Sequence, residues 1–206
     1  MPRGTLLAGA AVVVVAGVAA AVLLAGGGGK GLAPESQSGQ VRALAPGMVV
    51  IPAGKRAILP AVAGQTLDGG RLDLAGLRGQ VVVLNFWASW CGPCRGEAAG
   101  LQEASRELAA KGARVVGVDI NDQRTPALAF QREFAVSYPS LFDPSLSLTA
   151  RLGGQGPSYP PTTLVIDQQG RIAARIVGAL NGGKGTPQVQ AAMLGDLVEQ
   201  IKGGVA

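Results

Sequence analysis

The chain has 206 residues, enough for one sizeable domain with appendages, and its 48% hydrophobic content stands against only 15% charged residues. Its net charge of +5 is concentrated at the N-terminal end, where residues 1–60 hold five bases and one acid; from Ala61 onward 13 Lys and Arg face 12 Asp and Glu. No histidine occurs, which excludes imidazole-based catalysis and the commonest metal ligand, and no cluster of bases with interleaved aromatics marks a nucleic-acid surface.

Between Arg3 and Lys30 there is no charged residue, and the stretch is almost entirely Ala, Val, Leu and Gly. A helix from Leu6 to Gly29 would span about 36 Å, enough for a hydrocarbon core of about 30 Å. Residues 1–29 are therefore expected to be an uncleaved signal anchor that places the protein in the membrane through one N-terminal helix. A cleaved signal peptide is the alternative, because small residues surround Ala25. Arg3 favours an internal N-terminus, which puts the rest of the chain outside the cytoplasm. Residues 30–60, with their Gly, Pro, Ser and Gln, are expected to be a linker. Within it "MVVIPAGKRAILP" reads either as an edge strand or as a lead into the domain over 61–206.

From Ala61 the pattern becomes regular. "VAGQTLDGGRLDL" predicts an N-terminal β-hairpin around Asp68-Gly69-Gly70. "QVVVLNFWA" is a continuous apolar run, as in a strand buried on both faces. The stretch after Cys91 carries Leu101, Ala104 and Leu108 at helical spacing and stops at Gly112. "ARVVGVDI" predicts a second buried strand and "TPALAFQREFAV" a helix opening on Pro126. "TTLVID" and "RIAARIVG" predict a strand pair around Gln169-Gly170, and "TPQVQAAMLGDLVEQIKGG" a closing helix. This order predicts an α/β fold with a central mixed sheet flanked by helices.

The only cysteines, Cys91 and Cys94, lie in "SWCGPCR". Two cysteines are too few for a structural zinc set, and a bridge closing so short a loop restrains the unfolded chain little. The pair follows a predicted buried strand and opens a helix, where unpaired N–H groups and the helix dipole favour a thiolate. Cys91 is thus the expected nucleophile and Cys94 the resolving thiol, with Gly92 and Pro93 turning the chain between them. Both tryptophans, Trp87 and Trp90, flank the site: Trp87 reads as core and Trp90 as an apolar rim. Arg95 reads as a solvated charge, with electrostatic support of the thiolate as the alternative, and Asp119, Asn121 and Asp122 as turn or capping residues.

"NFWASWCGPC" resembles the active-site strand and motif of the thioredoxin superfamily. With "GVDINDQ", "YPSLFDP" and "PTTLVIDQQGRI", the chain from about Gly64 to Lys202 resembles its membrane-anchored TlpA/ResA/DsbE-like branch. The resemblance implies a cis peptide before Pro161, facing the cysteine pair, and substrate contacts at Trp90, Gly92, Pro93, Pro160 and Thr162. It also implies that Glu97, three residues after Cys94, is the catalytic acid/base. Asn85 stands where thioredoxins carry a buried Asp, and Pro160 offers no N–H to a substrate strand, a departure from the usual docking detail.

The function expected from this reading is extracytoplasmic thiol–disulfide exchange with protein dithiols and disulfides, without bound cofactor or metal. The family precedent favours a reductant fed by a membrane redox partner, with cytochrome c maturation as one destination. A secretory disulfide oxidase is the main alternative, a thiol peroxidase a weaker one, and a non-catalytic docking domain the last. The expected location is the bacterial cell membrane, or a secreted or periplasmic form if the signal is cleaved.

Overall fold

In the computed structural model, residues 47–204 are described. The expected anchor over residues 1–29, and most of the linker, lie outside the described residues. The strands are β1 (Met48–Val50), β2 (Ala63–Gln65), β3 (Arg71–Asp73), β4 (Val81–Trp87), β5 (Ala113–Ile120), β6 (Ser140–Asp143), β7 (Thr162–Ile166) and β8 (Ile172–Val177). The α-helices are α1 (Gly92–Ala109), α2 (Arg124–Glu133), α3 (Ser147–Arg151) and α4 (Pro187–Lys202). Among these residues no helix is long and apolar enough to cross a membrane.

Six strands form one mixed sheet in the order β1-β8-β7-β4-β5-β6, while β2 and β3 pair separately and antiparallel. β4 is central, running parallel to β5 and antiparallel to β7, and every one of its residues is buried. Successive side chains of a strand enter opposite faces. Val81 and Val83, with Ala113 and Val115 of β5, pack on Leu101, Ala104 and Leu108 of α1 and on Leu194 and Leu197 of α4. Val82, Leu84, Phe86, Val116 and Val118 pack on the other face against Val62, Leu74, Leu148 and Leu152.

Two differences from the sequence expectations follow from contacts distant in the chain. The linker expected over 30–60 gives way to the domain by Met48, because β1 pairs with β8 as an edge strand. Arg56 fixes this segment further, donating from Nε to the Ile51 carbonyl (3.0 Å) and from Nη1 to the buried Asp167 carboxylate (3.2 Å). β6 and α3 are additions to the predicted order. "SLFD" is only four residues between Pro139 and Pro144, and it is held by parallel pairing with β5.

Candidate active site

β4 ends at Trp87, and four residues later Cys91 caps the start of α1. Its backbone is extended (φ −81°, ψ 107°), and its Sγ accepts the Cys94 N–H at 3.2 Å. This is the contact that stabilises a thiolate once the pair is reduced. Pro93 sits in the first turn, where a missing N–H costs nothing. Cys91 and Cys94 are joined in a disulfide with Cα atoms 5.3 Å apart. Cys91 is 4% exposed and Cys94 1%, so the expected exposed nucleophile is nearly covered in the oxidised pair. Gly92 and Pro93 between them are exposed.

The approach to Cys91 is held by the loop after β5. Ser89 N–H donates to Asp122 Oδ2 at 2.5 Å, and Trp90 Nε1–H donates to the Asn121 carbonyl at 2.9 Å. Trp90 is nonetheless 57% exposed and presents an apolar face beside the pair. Trp87 is buried, stacks on Phe130 of α2 at 4.5 Å, and shares a cluster with both cysteines. Arg95 is turned away from the cysteines: it pairs with Glu133 and lies over the Phe134 ring, 5.0 Å from its centre.

The Pro160–Pro161 peptide is cis. Pro161 is buried at the entrance to β7, and its carbonyl accepts the Gly178 N–H. Thr162 pairs with Phe86, which places Pro161 beside the end of β4 from which the Cys91 loop departs. Thr162 itself is 1% exposed and its hydroxyl donates to the Tyr159 carbonyl at 3.0 Å, so its side chain is not on the surface where substrate contacts were expected. Tyr159 is exposed, Pro160 half-buried.

Glu97 lies one turn along α1 from Cys94 and is 0% exposed. Its Oε1 accepts from Asn85 Nδ2 and its Oε2 from the Leu180 N–H, both at 2.8 Å. Burial pushes this carboxyl up from its ordinary 4.5 to about 7, against the opposing pull of those two donors. Asn85 Nδ2 also reaches Thr163 Oγ1 of β7 at 3.1 Å, so one amide links the helix carboxyl to the strand entered through Pro161. Tyr138, in the core beneath, is raised by its own burial and by the neighbouring Glu97.

Sequence reading missed Thr163 and the Leu180 N–H. Thr163 carried a faint signal as a polar residue inside an apolar strand; a backbone N–H carries none. Of the three residues read as turn or cap, Asn121 takes a positive φ of 49° and Asp122 caps the Gln123 N–H at 2.7 Å. Asp119 does neither: it is fully buried within β5.

This arrangement provides a nucleophilic sulfur at a helix start, a second sulfur one turn in, and a buried carboxyl able to hold a proton near neutral pH. The chain is 28% identical over 112 residues to the thiol-disulfide oxidoreductase ResA of Bacillus thuringiensis, covering 54% of this chain and 63% of that protein. It is 36% identical over 129 residues to the thiol:disulfide interchange protein DsbE of Allochromatium vinosum, covering 62% and 65%. The match thus spans less than two thirds of either relative. A solved DsbF homologue from Corynebacterium diphtheriae is 32% identical, with a TM-score of 0.64 over 76% of this chain and 92% of that one, and the fold is thioredoxin-like. Residues 52–193 match the Redoxin family along more than half of the chain, and the protein belongs to that family.

Proposed function

We propose that the protein is an extracytoplasmic thiol–disulfide oxidoreductase working through Cys91 and Cys94. The observation that carries this reading is the pairing of a helix-start disulfide with a buried carboxyl one turn away, held up to about 7 by its burial. In the reducing direction, the Cys91 thiolate attacks one sulfur of a substrate disulfide, and the first substrate thiolate leaves and takes up a proton. Cys94 then gives its proton to the Glu97 carboxylate and attacks the Cys91 sulfur. That breaks the mixed disulfide, releases the second substrate sulfur as a thiolate that takes up a proton, and restores the Cys91–Cys94 bond. Two electrons pass to the substrate, and a membrane redox partner supplies the two that reopen the pair. The reaction runs on the two sulfurs and requires no bound cofactor or metal.

The exposed Trp90, Gly92 and Pro93 around the pair, with the exposed Tyr159 two residues before Pro161, offer surface on which an extended polypeptide can dock. We read the direction as reduction of secreted thiol proteins, cytochrome c maturation being one destination, from an anchor formed by residues 1–29. An oxidase reading is favoured by one contact, the Cys94 N–H on Cys91 Sγ, because a strongly stabilised thiolate makes a disulfide more oxidising. Equilibration with glutathione or dithiothreitol buffers decides between them. A potential near roughly −270 mV supports the reductant, and one near roughly −120 mV the oxidase.

A further inference from the structure

The end of β5 holds a buried acid that the exchange chemistry leaves unused. Asp119 is 0% exposed, and as a carboxylate neither of its oxygens has a hydrogen-bond donor, the neighbouring Asp122 being an acceptor too; the buried Trp87 Nε1–H likewise has no acceptor. Trp87 and Asp119 are register partners on adjacent parallel strands, so their side chains leave the sheet on the same face. On that face Trp87 joins the cluster containing Cys91, Cys94, Ala127 and Phe130.

Asp122, three residues on and half-buried, is the charge closest in effect to Asp119. Burial first, then the charge of Asp122 and a hydrogen bond with it, push Asp119 up to about 8, while Arg124 at the start of α2 opposes the rise. Arg124 is itself committed to the Thr66 and Leu67 carbonyls. From α1, Arg95 lies 5.9 Å from the centre of the Phe130 ring and pairs with Glu133 of α2, while the Cys91 and Cys94 thiols exist only after reduction. Two ionised carboxylates are acceptors only and cannot bond to each other; a proton on Asp119 makes it a donor to Asp122. Asp122 in turn grips Ser89, two residues before Cys91, while the neighbouring Asn121 carbonyl grips Trp90, one residue before it.

We propose that Asp119 and Asp122 form a proton-operated latch on the loop that leads through Trp90 into Cys91, and so act as positioning residues for disulfide exchange. With the proton in place, Asp119 donates to Asp122, which keeps its charge and its hold on Ser89 N–H. When the proton leaves, two like charges face each other in a poorly solvated site. Asp122 then swings toward solvent, Ser89 is released, and the loop carrying Trp90 and Cys91 loosens.

The latch is tested in the oxidised protein, where no thiol titrates, through the fluorescence of Trp87 and Trp90, the only tryptophans in the chain. In a Glu97→Gln background, which removes the carboxyl that titrates near 7, the emission is expected to step near pH 8. Asp119→Asn, whose amide still donates to Asp122, abolishes the step. Asp122→Asn removes the like charge and moves the step to lower pH, and it serves as the second variant if the first does not fold. The rate of reduction by a small thiol, corrected for that thiol's own ionisation, changes severalfold across the same step, and not in Asp119→Asn. A step that survives Asp119→Asn, one that Asp122→Asn leaves in place, or a fluorescence step without a matching rate step overturns the latch. The inference rests on the oxidoreductase reading only for the rate arm; if that reading fails, no exchange is seen at any pH, while the fluorescence step is unaffected.

Discussion

Along β4, Val82, Leu84 and Phe86 enter one face of the sheet, and Val81, Val83, Asn85 and Trp87 enter the other. The first face is apolar from end to end, closed by Leu148, Leu152, Val62 and Leu74. The second begins the same way, under Leu101, Ala104 and Leu108 of α1, and then changes character at its last turn. There it buries Asn85, Glu97 and Asp119 completely, with unpartnered atoms on Asn85 Oδ1, Trp87 Nε1 and both Asp119 oxygens. Burying such groups costs stability unless they are paired. One face holds the fold together; the cysteine end of the other gives up some of that stability to keep protonatable groups away from water.

The widest separation between the two faces is expected from Cys91→Ser and Cys94→Ser. Each abolishes disulfide exchange in a reductase assay, and Cys94→Ser accumulates a mixed disulfide with substrate that can be isolated without reductant. Retained exchange in either would break the division at its centre. Phe86→Ala, on the apolar face, is expected to cost about 3–5 kcal/mol in denaturant unfolding, with the pH dependence of exchange unchanged in the fraction that remains folded.

Glu97→Gln should act the other way, on pH dependence rather than on packing. With its carboxyl raised to about 7 in the folded state against 4.5 ordinarily, Glu97 keeps its proton when folded and loses it on unfolding between those values. Stability therefore falls as pH rises through that window, by up to about 3 kcal/mol, and levels off above it. Urea unfolding of the oxidised protein at pH 5 and pH 8 measures the fall; the variant should lose the part due to Glu97. The smallest effect is expected from Thr163→Val, which removes one acceptor from Asn85. It should cost about 1 kcal/mol in the same unfolding measurement and leave the cysteines reactive.

The parts of the site legible in the sequence were those that a short stretch encodes. The apolar run before Cys91 and the Gly92-Pro93 turn into an amphipathic helix announced a strand, a loop and a helix-start cysteine pair. Glu97 was legible only as a spacing from Cys94 and through resemblance; what burial does to it depends on Asn85, 12 residues earlier, and on Leu180, 83 residues later. Asp119 was misread because an acid at the end of an apolar strand usually reaches solvent. Here it is fully buried, in register with Trp87 on the same face of the sheet. β6 escaped and β1 was legible only as one of two readings for a related reason, since three- and four-residue strands are fixed by their partners rather than by their own pattern.

The pH dependence of the Cys91–Cys94 reduction potential, measured in the wild type and in Glu97→Gln, tests the central claim most directly. If Glu97 holds the proton that Cys94 gives up, the wild-type curve has a bend near pH 7, where that carboxyl titrates, that the variant lacks, while the bend from ionisation of Cys91 itself stays in both. Superimposable curves would contradict the account and leave Glu97 a buried residue without a part in the exchange.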